Sequence, residues 1–173
     1  MVFCKILLKE QVYLYKNNQK AFTLIEVMAV ISMLSVFSLL IYPQFNSFLN
    51  KTSLDQAAFQ LASDINYVKQ NSIANDGNGL GKIVIYKANN SYYVFVNPMK
   101  SEKKVDFKEI YNSRVQITGY SGPLNEISFN YLGVPTRCGT VTVKNKDGAF
   151  KYVIVSPVVG RVRVDDRPPT SWN

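Results

Sequence analysis

The sequence contains no histidine, and its only cysteines are Cys4 and Cys138. Without histidine the commonest general base near neutral pH and the commonest zinc ligand are both missing. The two cysteines lie toward opposite ends, and once the first 21 residues are removed only Cys138 remains, which excludes an intramolecular disulfide. A lone thiol in a strand-rich region reads as a small core hydrophobe. Also missing are a phosphate-binding glycine loop, paired carboxylates with a pocket, a metal-ligand cluster and a nucleophile with a base. Gly77-Asn78-Gly79-Leu80-Gly81 follows a helical pattern and precedes a strand. That is the reverse of what phosphate binding at a helix N-terminus requires, so it reads as a linker turn. No enzymatic activity, cofactor or metal is expected.

Charge is sparse, at 18% against 47% hydrophobic residues, and 173 residues accommodate one globular domain with an appendage. The net charge of +8 favours acidic partners such as nucleic acid, anionic lipid or acidic protein surfaces. Part of that charge is local. Lys5, Lys9, Lys16 and Lys20 against Glu10 give +3 in the first 21 residues and leave +5 for the rest.

The dominant feature is the run from Ala21 to Tyr42, AFTLIEVMAVISMLSVFSLLIY, with Glu26 its only charge. Roughly 22 residues at about 1.5 Å each span a hydrocarbon core of about 30 Å. Lys16 and Lys20 precede it and the next basic residue is Lys51, which orients the N-terminus toward the cytoplasm and the bulk outside. A cleaved secretory signal has a shorter apolar core and a small-x-small site, whereas this run leads into Tyr42-Pro43-Gln44-Phe45. A plain signal anchor avoids an internal carboxylate, which costs about 2.5–3.5 kcal/mol near the bilayer centre. Of these readings a helix of a soluble core fits least well with uniform hydrophobicity over six turns.

Lys20-Ala21-Phe22-Thr23-Leu24-Ile25-Glu26-Val27 resembles the type III signal of the type IV pilin family. The resemblance implies that a prepilin peptidase cuts between Ala21 and Phe22 and N-methylates Phe22, and that Glu26 and Pro43 serve assembly. Ala21 stands where the family usually has glycine, and Pro43 stands where it commonly carries a helix-bending proline. A carboxylate in apolar surroundings needs a cation, and a new α-amine one helical turn from Glu26 would supply it. The leader is unusual in carrying Val2-Phe3 and Ile6-Leu7-Leu8, apolar residues that suit either a misplaced start or contact with a membrane surface.

Beyond Pro43, Leu54, Ala58, Leu61, Ile65 and Val68 recur at helical spacing, and Asn75-Asp76-Gly77-Asn78-Gly79 is expected to end the helix. From Lys82 the pattern becomes strand-like: Lys82–Lys87, Tyr92–Asn97, Arg114–Thr118, Glu126–Tyr131, Thr140–Lys144, Lys151–Ser156 and Arg161–Asp165. Turns are expected at Gly119 to Pro123, at Gly133-Val134-Pro135 and at Asn145-Lys146-Asp147-Gly148, and 98–112 reads as a solvated loop or an edge. The expected fold is α+β, a long N-terminal helix packed on a C-terminal antiparallel β-sheet or sandwich head. The expected organisation is a leader (1–21), a transmembrane or filament-core helix (22–43), an amphipathic helix (44–76) and a β-rich head (77–173).

With Ile127-Ser128-Phe129-Asn130 and Gly160-Arg161-Val162-Arg163, the head resembles the GspH/FimT group of minor pseudopilins and minor pilins, which includes the competence subunit ComGD. That resemblance implies a filament subunit of a pilus, type II secretion or competence apparatus in the cytoplasmic (inner) membrane. Its partners would be prepilin peptidase and other pilin or pseudopilin subunits. In a strand Arg161 and Arg163 share a face about 7 Å apart and suit successive phosphates, with Arg167 beyond them. DNA is thus an alternative partner. The structural alternative is that Gly160 makes a turn and that Arg and Val alternate on a half-exposed last strand.

Overall fold

The computed structural model describes residues 22–74, 81–97 and 100–169. The chain divides into two compact units that join between Tyr42 and Pro43, and a helical run, α1 (Leu24–Ala74), contributes to both.

In the N-terminal unit every described side chain is exposed, and from residue 22 to residue 50 Glu26 is the only charged residue. Apolar side chains on all sides leave no polar face to turn toward water. The serine hydroxyls are satisfied within the helix: Ser32 donates to the Ala29 carbonyl (2.7 Å), Ser35 to Ile31 (2.8 Å) and Ser38 to Leu34 (2.8 Å). Such internal bonds let a hydroxyl leave water at little cost.

Among the described residues no single helix is long and apolar enough to cross a membrane, whereas Leu24–Leu39 and Tyr42–Ala74 taken together are, by length and composition. The break follows Leu39, the fourth residue before Pro43. That is where a helical proline clashes with a carbonyl and withdraws a donor.

In the head, α1 buries Leu54, Ala57, Ala58, Leu61, Ala62, Ile65 and Val68. Ala57 and Ala62 widen the expected stripe. Two antiparallel sheets face it. The first has the order β3-β2-β1-β5-β6, built from β1 (Lys82–Tyr86), β2 (Ser91–Asn97), β3 (Lys100–Asp106), β5 (Glu126–Phe129) and β6 (Pro135–Arg137). The second has the order β4-β7-β8-β9, built from β4 (Val115–Ser121), β7 (Thr140–Asn145), β8 (Phe150–Val155) and β9 (Val162–Asp165). Alternation in the strands sends Ile83, Ile85, Tyr92, Val94, Ile127 and Phe129 from one sheet, and Val115, Ile117, Val141, Val143, Val153 and Val155 from the other, into one core with the helix.

Polar contacts flank this core. Tyr92 donates to Asp64 (2.7 Å), which also pairs with Lys103 (3.0 Å), and Tyr111 donates to Gln60 (2.6 Å). Nearer Pro43, Arg114 donates to Asn50 Oδ1 (2.8 Å), and Asn50 Nδ2 donates to Asp147 (2.8 Å). Lys151 bridges Asp55 (2.9 Å) and Asp166 (2.6 Å).

The α+β class holds. One open alternative is decided, and the details depart from the pattern in two places. Within 98–112 the described residues, 100–112, take the edge alternative: β3 is an edge strand, followed by a single turn of helix, α2 (Phe107–Ile110), capped by Asp106. β4 continues through Gly119 to Ser121 instead of turning there, passing the glycine by a register shift between Ile117 and Gly119. Pro135 begins β6 on the other edge, where a missing N–H is tolerated, and the turn is confined to Asn130–Val134. The hairpin at Asn145 forms as expected, with Gly148 N–H donating to the Asn145 carbonyl at 3.2 Å. The glycine-rich stop at 75–79 lies outside the described residues.

Burial, and then the Asp64 carboxylate, push the Tyr92 phenol far above its usual 10.0. The folded chain then holds this proton where the unfolded tyrosine releases it, so the contribution is present below about pH 10 and is lost as pH rises beyond it. Tyr92→Phe is expected to lower stability by about 1–2 kcal/mol at neutral pH and to make the alkaline decline shallower. Chemical denaturation of the detergent-solubilised chain at neutral pH and above pH 10 measures both. An unchanged alkaline slope refutes the role of the phenol.

Candidate functional site

Two groups of expected site residues lie on separate units. In the first, Phe22 is the first described residue and is exposed, while Ala21 lies outside the described residues. The helix starts through Thr23. The Glu26 N–H donates to the Thr23 carbonyl (3.1 Å) and to Thr23 Oγ1 (3.3 Å), and the Val27 N–H donates to the Thr23 carbonyl (3.2 Å). Thr23 is thus the N-cap, and Glu26, three residues later, stands where a carboxylate favours a helix N-terminus. Sequence reasoning gave Thr23 no role. The signal was present as Thr-x-x-Glu, the spacing of a capping box ahead of an apolar run.

The Glu26 carboxylate has no ion-pair or hydrogen-bond partner among the described residues. It is exposed and lies one turn from Phe22. Pro43 lies inside α1, four residues beyond the break at Leu39.

The second group lies at the edge of the four-stranded sheet. Arg161 immediately precedes β9, Arg163 is within it opposite Ile154 of β8, and both are exposed. Val162 and Val164 pack against the core between them, so the Arg/Val alternation expected of a half-exposed last strand is present. Arg167 follows the strand, exposed, its backbone N–H donating to Asp165 at 3.3 Å. None of the three guanidinium groups has a partner among the described residues. Nearby, Lys151 holds the Asp166 carboxyl below its usual range, and the hydrogen bonds that Lys151 donates to Asp166 and then to Asp55 raise Lys151. The strand end is therefore mixed in charge.

Cys138 is half-buried against the core, and burial pushes its thiol up, which favours the uncharged, unreactive form. Among the described residues no group of three or more Cys, Asp or Glu side chains is placed to hold a metal ion.

Residues 16–42 match the family model described as the prokaryotic N-terminal methylation motif. Comparison with curated proteins and with solved structures finds no match. The match covers Lys16, Lys20, the expected cleavage pair, Thr23, Glu26 and the apolar helix up to the residue before Pro43. The matched segment is similar to that motif, and its apolar helix is consistent with anchoring in the inner membrane.

Proposed function

We propose that the chain is a structural subunit, not an enzyme, of a type IV pilus-class filament: a minor pilin or pseudopilin of the GspH/FimT kind. Residues 1–21 are its leader, 22–43 its membrane and filament-core helix, 44–76 its amphipathic helix and 77–173 its head. The observation that carries this reading is the coincidence of the methylation-motif match with a lone carboxylate, Glu26, in the first turn of a helix that carries no other charge before Lys51.

Prepilin peptidase hydrolyses the Ala21–Phe22 peptide bond, leaving a carboxylate on Ala21 and an α-amine on Phe22, which is then methylated and remains cationic. Membrane insertion is driven by the apolar side chains and tolerates Glu26 near the interface. In the filament core water is scarce, and an unpaired carboxylate is costly. A Phe22 amine, presented by a neighbouring subunit, neutralises Glu26. Because a charge pair weakens with distance while apolar packing is non-directional, the pair selects one axial register. The head stays outside the cytoplasm, and Pro43 lies at the junction of helix and head.

Glu26→Ala is expected to leave membrane fractionation and leader removal unchanged, while the amount recovered in sheared filaments falls by at least about tenfold, as expected when one member of a buried pair is removed. Immunoblotting of membrane and filament fractions measures both, and normal incorporation refutes the assignment of Glu26.

A second reading, a DNA receptor for uptake, is favoured by the exposure of Arg161, Arg163 and Arg167 without guanidinium partners among the described residues. It predicts weak, sequence-independent binding that falls steeply with salt and drops on joint Arg161→Ala and Arg163→Ala substitution. A chain giving no salt-sensitive shift with DNA at low ionic strength disposes of it.

A further inference from the structure

Two turns in the head expose apolar side chains side by side. In the first, Asn130–Val134, Tyr131 is 54% and Leu132 65% exposed; in the second, Ser156–Gly160, Val158 is 74% and Val159 65% exposed. Ile73, near the end of α1, adds to the same region, since a Cβ on Gly133 would lie 2.7 Å from its Cδ1.

These turns are held firmly. Asn130 Oδ1 accepts from the N–H groups of Leu132 (3.0 Å) and Val134 (2.9 Å), and the Gly160 N–H donates to the Ser156 carbonyl (3.0 Å). Lys69 donates to the carbonyls of Val159 (3.3 Å) and Gly160 (3.1 Å), tying the second turn to α1. The turns also abut one another, because a Cβ on Gly160 would lie 2.8 Å from the Gly133 carbonyl oxygen. Both glycines have positive φ (75° and 59°), so a larger residue at either position would be strained as well as crowded.

Solvent exposure of several adjacent aliphatic side chains on rigid turns is unfavourable for an isolated head and suits a docking surface, because little entropy is lost when a preorganised patch is covered. Charge selects what covers it. Neither 130–135 nor 156–164 contains an acidic residue, whereas Arg161 and Arg163 lie exposed beside the second turn. A second copy docked face to face would set arginines against arginines.

We propose that this patch docks the head of a different subunit of the same filament, through an apolar surface rimmed by carboxylates. This rests on the filament reading. It places the contact at the Ala74 end of α1, about 45 Å along the helix from Pro43. It is therefore a head-to-head contact separate from the one Glu26 makes.

The test is photo-crosslinking in the cell of origin, with a photoreactive residue replacing Val158 or Leu132 in the full-length chain and a control at Lys87. The expected product is a heterodimer, formed from Val158 and Leu132 but not from Lys87, whose partner carries its own N-terminal methylation motif. Val158→Asp, read by the crosslink from Leu132, should reduce this product by at least about tenfold, the effect of losing a packed apolar anchor. Thermal unfolding should be unchanged, because Val158 is already in water. A homodimer, a crosslink to lipid or to a protein lacking the motif, or no crosslink overturns the docking surface. Leader removal is scored on the same sample. Retention of residues 1–21 overturns the filament reading itself, whereas a processed chain without the crosslink overturns the docking surface alone.

Discussion

One helical run has to satisfy two surroundings, and the architecture follows from how it does so. Past Pro43 the run presents an apolar stripe, Leu54 to Val68, that is buried in one core with residues of both sheets. Before Pro43 it presents apolar side chains on every side and no stripe, so it demands apolar surroundings around its whole circumference. The same secondary structure thus serves a protein interior in one part and a non-aqueous environment in the other. Pro43 sits where the sequence changes from one pattern to the other.

The few polar groups of the N-terminal part are handled according to their strength. Hydroxyls are satisfied internally, each serine bonding a carbonyl one turn back. The Glu26 backbone is satisfied by Thr23. A carboxylate cannot be neutralised by such local bonds alone, and Glu26 has none among the described residues. Its position in the first turn, at the favourable end of the helix dipole, lowers the cost of carrying it and leaves the side chain directed to whatever cation comes near. That unmet charge is the feature from which the assembly proposal derives.

Much of this was legible in the sequence, for definite reasons. The Leu54–Val68 stripe has a strong 3.6-residue period, and strands such as KIVIY and TVTVKN alternate clearly, so both surfaced from pattern alone. β3 was ambiguous because KSEKKVD is charged, and its pairing with β2 is what makes it an edge strand. β6 has three residues and begins with proline, too little pattern to read, and is fixed by tertiary contacts such as Arg137 to Glu126 at 2.9 Å. Gly119 looked like a turn because a glycine in a strand cannot be told from one that ends it without knowing the register of β7. At the site, Glu26 and Pro43 stood out by being unlike their neighbours. Thr23 did not, since a threonine among apolar residues is unremarked until its hydroxyl is seen capping the helix. The turns at Gly133 and Gly160 were each readable but their meeting was not, because they are 27 positions apart and come together only through the fold.

The most direct measurement is the intact mass and N-terminal residue of the chain purified from its own membrane. A chain that starts at an N-methylated Phe22 is the predicted result. A chain that still carries the basic leader, or is cut at another bond, contradicts the account, because Glu26 would then have no amine one turn away to meet.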